Sequence, residues 1–126
     1  MNDQAGRRHL KGRNCIGQVC EIDGEIVGYM VYLLSVREIG LVNLTVSPEW
    51  RGEGHGRAMI HLLQDKIATH RTRKAITLDV SEQWLGAHLF LKQCGFRASA
   101  VFDCATIGDT VYHFKYQANE QTPVAT

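Results

Sequence analysis

Apolar positions along the chain change period several times. Cys15–Ile22 and Glu25–Leu34 read as strands, and Asp23-Gly24 between them is a two-residue hairpin signal. A second turn at Arg37–Gly40 leads into a third strand, Leu41–Val46, which Pro48 and a group of glycines stop. The period then lengthens. Met59, Leu62, Leu63 and Ile67 share one face of a helix running from about Gly54 to His70, and His61, Asp65 and Lys66 fall on the remainder. Ala75–Val80 returns to alternation, with Ile76, Leu78 and Val80 set against Thr77 and Asp79. A second helix, about Gln83 to Cys94, closes at Gly95, a suitable left-handed residue. Two more strands, near Ala98–Cys104 and Thr110–Tyr116, turn at Gly108-Asp109. This order predicts an α/β domain over residues 15–116: a mixed sheet with helices on both faces. Residues 1–14 form a basic segment, read as a frayed tail or the end of a helix, and 117–126 form a polar tail.

The chemistry concentrates between the third strand and the first long helix. There the chain reads Ser47-Pro48-Glu49-Trp50, then Arg51-Gly52-Glu53-Gly54-His55-Gly56-Arg57-Ala58. The first amides of a helix lack intrahelical partners and point outward. The helix dipole favours an anion there, and glycines let a phosphate reach the backbone. The stretch is therefore a candidate pyrophosphate cradle. It is not a P-loop, because no Lys-Ser/Thr follows two glycines five apart. It is not a dinucleotide fingerprint either. Gly54-x-Gly56 begins one, but its third glycine position holds the bulky Met59, and no acidic residue ends a second strand at the usual distance.

What remains is Arg/Gln-x-x-Gly-x-Gly/Ala, met by Arg51, Gly54 and Gly56 within a longer string from Val46 to Ala58. That string resembles the coenzyme A loop of the GNAT superfamily of N-acetyltransferases. Downstream, Ile76-Thr77-Leu78-Asp79-Val80 and then Ala87-x-x-Phe90-x-x-x-x-Gly95-Phe96 resemble the next strand and helix of that fold. The resemblance covers roughly residues 12–116 and is closest to the branch typified by ribosomal-protein-alanine N-acetyltransferases (RimI-like). It implies the acyl-CoA N-acyltransferase fold, here lacking its first strand and most of its first two helices, which form one wall of the acceptor groove. A truncated product, a mis-set start or a divergent short member would each account for that. Without the first strand, Cys15–Ile22 is expected at an open sheet edge, available for homodimer pairing.

The resemblance also assigns roles. Acetyl-CoA is the cosubstrate and a protein N-terminus or small amine the acceptor. Arg51 to Ala58 would hold the pyrophosphate, with Arg51 and Arg57 either adding charge-assisted contacts or remaining solvated. Leu44, Thr45 and Val46 would offer backbone groups to the pantetheine arm, and the Val46 N–H would serve the oxyanion. Asp79 stands where the branch carries a proton-relaying glutamate, one methylene longer. Leu91 stands where a tyrosine protonates the leaving thiolate, Trp84 replaces an asparagine that touches coenzyme A, and Ser81 replaces a basic residue. Loss of a general acid costs about 10²–10⁴-fold, so the expected enzyme is slow. The rival reading is an acetyl-CoA-binding module that has lost turnover.

Composition narrows the partners. At 126 residues, 44% hydrophobic, the chain makes one domain with a real core. Net charge of +1 gives no general case for nucleic acid or membrane binding. Arg7, Arg8, Lys11 and Arg13 make a short run without interleaved aromatics. No apolar stretch is long enough to span a bilayer, and no apolar leader opens the chain, so a cytoplasmic protein is expected. Cys15, Cys20, Cys94 and Cys104 form no Cys-x-x-Cys pair, and His55 and His61 fall on different helix faces, so no metal is expected.

Overall fold

A computed structural model describes residues 4–9 and 14–118. One seven-stranded sheet runs in the order β1-β2-β3-β4-β5-β7-β6. Its strands are β1 (Gln4–His9), β2 (Cys15–Ile22), β3 (Glu25–Leu34), β4 (Glu38–Val46), β5 (Ala75–Ser81), β6 (Arg97–Cys104) and β7 (Asp109–Gln117). Two helices join them, α1 (His55–Ala68) and α2 (Leu85–Gln93). All pairs are antiparallel except β4 with β5, whose parallel crossover carries α1. The β2–β3 hairpin turns on Asp23 and Gly24, at φ 51° and 83°. Two left-handed residues match the twist of a hairpin, which explains why Asp-Gly announces one.

The chain's beginning corrects the sequence reading. Gln4–His9 is a strand paired along the length of β2 from Gln4↔Glu21 to His9↔Ile16. A strand therefore does precede the hairpin, and β2 is not an open edge through which a second copy could pair. The sequence hid it because Gln-Ala-Gly-Arg-Arg-His has no apolar alternation to announce a strand; its register with β2 shows it. Between this strand and the hairpin the chain has only five residues, 10–14, where the resemblance implies two helices that are mostly missing here.

The second correction concerns the layers. Both helices lie on the same face of the sheet. Met59, Ile60, Leu63 and Ile67 of α1 join Met30, Tyr32, Ile39, Leu41, Ile76 and Phe114 in one buried cluster, and Leu91 of α2 belongs to it. His88 of α2 meets Tyr112 and Phe114 edge-on at 5.0 and 5.1 Å. The Gln64 side-chain amide donates to the Cys94 carbonyl at 2.8 Å, tying α1 to the end of α2. Ile60, not Leu62, completes the buried stripe of α1; Leu62 is only half-buried. Each such fully buried side chain contributes about 1.5–3 kcal/mol. The opposite face carries Tyr29, Leu33, Asn43, Asp79, His113 and Lys115, and neither helix covers it.

Candidate functional site

Strands β4 and β5 pair only over Glu38–Gly40 and Ala75–Thr77. Beyond that they diverge, leaving a gap between Leu41–Val46 and Leu78–Ser81. Ladder geometry fixes which groups face it. The Ser47 amide donates to the Val27 carbonyl at 2.8 Å, and Gly28 is opposite Val46. Hydrogen-bonded and non-bonded pairs alternate in an antiparallel ladder, so Val46 and Leu44 turn their backbone groups away from β3 and toward the gap. Thr45 spends its own on Tyr29, and so cannot offer them to a ligand as expected. The Val46 carbonyl is taken by the Arg51 guanidinium, whose Nε donates at 2.8 Å. The Val46 N–H remains aimed into the gap.

The loop after β4 folds as a single 3-10 turn, Pro48–Trp50, followed by Gly52 and Gly54 at φ 82° and 88°. Gly54 is the N-cap of α1, which has no side-chain cap and no acidic residue in its first turn. Among the described residues the amides of His55, Gly56 and Arg57 have no hydrogen-bond partner; the first intrahelical bond runs from Ala58 to Gly54 at 3.0 Å. Unpaired amides and an uncompensated dipole at one point make an anion site. His55 strengthens the case. Its Nε2 is buried without a hydrogen-bond partner, 3.6 Å from a Glu53 oxygen, while its ring stands edge-on to Trp50. A buried orphan donor or acceptor is costly unless a ligand supplies its partner.

These groups border one cavity of about 870 Å³ between the loop, the free half of β4 and α2. Its lining includes ten of the residues expected at a coenzyme A site: Leu44, Thr45, Val46, Arg51, Gly52, Gly54, His55, Gly56, Arg57 and Trp84. Glu53 and Ala58 do not line it. Trp50, Gly86, Ala87, Phe90 and Gln93 complete the wall, of which Trp50, Ala87 and Phe90 carried a signal in the sequence. Tyr112 and Tyr116 of β7, the tyrosines that could stand in for the missing acid, do not line it. Leu91 is 2% exposed and belongs to the core.

Asp79 is elsewhere. It lies on the uncovered face, two residues past the last β4–β5 pair, and so borders the gap from the side away from the cavity. Its Oδ1 accepts a hydrogen bond from His113 Nδ1 at 2.6 Å, with the side chains 54% and 35% exposed. His113 was invisible in the sequence because register alone, Asp79↔His113, brings it there. The cavity and the carboxylate thus face each other through the parted strands.

The family model described as Acetyltransferase (GNAT) family matches residues 2–96. The chain belongs to this family. No curated protein matches its sequence. Solved structures share the fold of this GNAT chain at low identity. One is a Bacillus anthracis protein classed as a streptothricin acetyltransferase, solved with acetyl coenzyme A: TM-score 0.74, 16% identity, over 86% of this chain and 65% of that one. The Escherichia coli ribosomal-protein-S18-alanine N-acetyltransferase gives 0.73 and 18%, over 92% and 74%. Arabidopsis thaliana Naa50, in complex with the bisubstrate analogue CoA-Ac-MVNAL, gives 0.73 and 18%, over 80% and 72%. The chain therefore spans about two thirds to three quarters of the length of these relatives.

Proposed function

We propose that this chain is an acetyl-CoA-dependent N-acetyltransferase acting on a primary amine, in particular a protein N-terminal amine. The observation that carries the reading is the cavity: uncapped helix amides at one end, the free backbone of β4 at the other. The residues fit the cosubstrate. The amides of Gly56 and Arg57 and the orphaned His55 nitrogen suit its pyrophosphate, and Leu44 and Val46 suit the amides of its pantetheine arm. Acetyl-CoA, once bound, supplies the activated acyl group as a thioester.

The protein's part is placement and charge. The Val46 N–H points where negative charge would gather on the acetyl oxygen, a contribution of about 2.7–4 kcal/mol in comparable donors. Asp79 takes the proton of an amine entering from the uncovered face. His113 holds the carboxylate in one orientation, so that an aspartate serves where a longer glutamate would otherwise be needed. Those two faces let cosubstrate and acceptor enter from opposite sides of the sheet. In the complex of Naa50, one of the structural relatives, the analogue joins coenzyme A to an acetylated peptide.

No tyrosine lines the cavity, and Leu91 is packed in the core. This favours slow turnover, and it keeps one second reading in play, an acetyl-CoA-binding module without transfer. Calorimetric titration with coenzyme A, paired with a thiol-release assay over N-terminal peptides and small amines, separates them. Binding with turnover supports the enzyme. Binding without turnover selects the module, and failure to bind refutes both.

A further inference from the structure

A second hollow, of about 480 Å³, opens at the end of the sheet where β4 and β5 begin and β7 ends. Arg37, Arg71, Lys74 and Lys115 line it, and Glu38 is its only carboxylate. Two of these five are engaged: Glu38 Oε2 accepts from the Thr77 hydroxyl at 3.2 Å, and Lys74 Nζ donates to the last carbonyls of α1 at 3.1 and 3.3 Å. Among the described residues the side chains of Arg37, Arg71 and Lys115 have neither a hydrogen bond nor an ion pair. With a net charge of only +1 on the chain, three uncommitted cations around one hollow are a local arrangement and no consequence of general basicity.

The hollow lies on the same face of the sheet as the acceptor side of the gap. Lys115 is opposite Thr77, and His113 opposite Asp79, so all four share the uncovered face. Gly40 and Thr77 are the paired residues between the hollow and Asp79, and neither is bulky. Strands rise about 3.3 Å per residue. Lys115 therefore lies about 7 Å along the sheet from Asp79, and the level of Ala75 about 13 Å.

We propose that the acceptor is an extended acidic peptide, its N-terminal amine at Asp79 and a carboxylate from its third to fifth residue in the Arg37–Arg71–Lys115 hollow. The inference rests on the acetyl-transfer reading and names its substrate class. A peptide laid along β5 has the same rise as the strand, so two to four residue steps carry its side chains from the gap to the hollow. Attraction between such exposed charges is modest per pair and additive over three cations, and it weakens with salt.

The test compares peptides identical except for Glu or Gln at positions three to five. Binding is read by fluorescence anisotropy on the coenzyme A-loaded protein and acetylation by thiol release. The Glu peptides should bind and react about tenfold better, with the margin shrinking as salt rises. Arg71→Glu with Lys115→Glu should reverse the order, and the milder Lys115→Gln should reduce it, each with coenzyme A affinity and melting temperature unchanged. Equal behaviour of Glu and Gln peptides while coenzyme A still binds overturns the acidic-acceptor inference and leaves acetyl transfer standing. Loss of discrimination without coenzyme A binding fails both. Displacement of the acidic peptide by a short oligonucleotide at matched charge also overturns it, since the hollow would then be a site for polyanions.

Discussion

Single residues decide whether the cradle works, and they do so for different reasons. Gly54 sits at φ 88° with no atom within 4 Å of where a Cβ would stand, so the constraint there is backbone conformation, not space. Gly54→Val should cost about 1–2 kcal/mol of local strain and displace the amides behind it, lowering coenzyme A affinity at least tenfold by calorimetry. Gly56 is at an ordinary φ, with Phe90 and Val46 atoms 3.5–3.8 Å from a Cβ. A Gly56→Glu side chain must project into the cavity and set a carboxylate against the pyrophosphate; binding should vanish while helix content by circular dichroism stays. Leu91→Tyr, the obvious way to restore a missing acid, now carries a structural cost. Leu91 is 2% exposed among Phe96, Cys94 and Phe114, so the added hydroxyl must find a partner or strain the core by about 1–3 kcal/mol. Turnover should rise only if the ring can swing toward the cavity, and thermal unfolding together with the thiol-release rate reads both effects. Cys94 offers a check on the same packing. Burial raises its thiol above the ordinary range, and Arg57 only partly opposes this. The unfolded thiol ionises first, so Cys94 contributes stability below the ordinary thiol pKa and loses it as pH climbs toward the higher folded value. Removing it as Cys94→Ala should flatten the alkaline decline in melting temperature.

Elements show where a sequence can be read and where it cannot. The boundaries of β2 and β3 coincide with the apolar runs and their Asp-Gly turn, and α1 and α2 lie within the helices that the 3.6 period and the Gly95 stop predict. These are elements whose own side chains announce their partner, the core. What stayed hidden depends on pairing between distant segments. β1 is polar and is a strand only because β2 offers an edge, and β4 begins at Glu38, earlier than its apolar run, because β5 pairs with it there. Most of the candidate coenzyme A cavity was legible for a related reason: ten of its fifteen lining residues fall in one contiguous stretch, 44–57. The acceptor side was not, because Asp79 and His113 are 34 residues apart and meet only through the β5–β7 register. That pair should act as a unit. Asp79→Asn should lower kcat/KM by about 10²–10⁴. His113→Gln should cost less, about tenfold in kcat/KM, with the loss in kcat, whereas a purely structural histidine would show its loss in melting temperature. Coenzyme A affinity should be untouched in both, because neither residue lines its cavity.

At the scale of the whole molecule, the main hydrophobic cluster lies on one face of the sheet, and on the other only smaller side chains such as Ala75, Thr77 and Val111 are buried. The large apolar residues that β3 presents on that outer face are exposed: Leu33 is 47% and Tyr29 42% accessible, whereas Ile39, on the covered side of the neighbouring strand, is 1% accessible. Neither α1 nor α2 lies on the outer face to bury Leu33. The arrangement yields a comparison within a single strand pair. Leu33→Thr should shift stability by no more than about 0.5 kcal/mol, the range of surface substitutions. Ile39→Thr removes buried carbons and adds a hydroxyl inside the core, so it should cost about 2–5 kcal/mol. Chemical denaturation of both variants measures the difference. Comparable losses would mean that something covers Leu33 in solution, and the acceptor could then no longer approach Asp79 across an open face. A large difference would leave that approach free, with one consequence for specificity. On the acetyl-transfer reading, an amine reaching the gap meets no second wall among the described residues, so selection among acceptors would fall to what the exposed strands present: the Asp79–His113 pair and the charges beyond it.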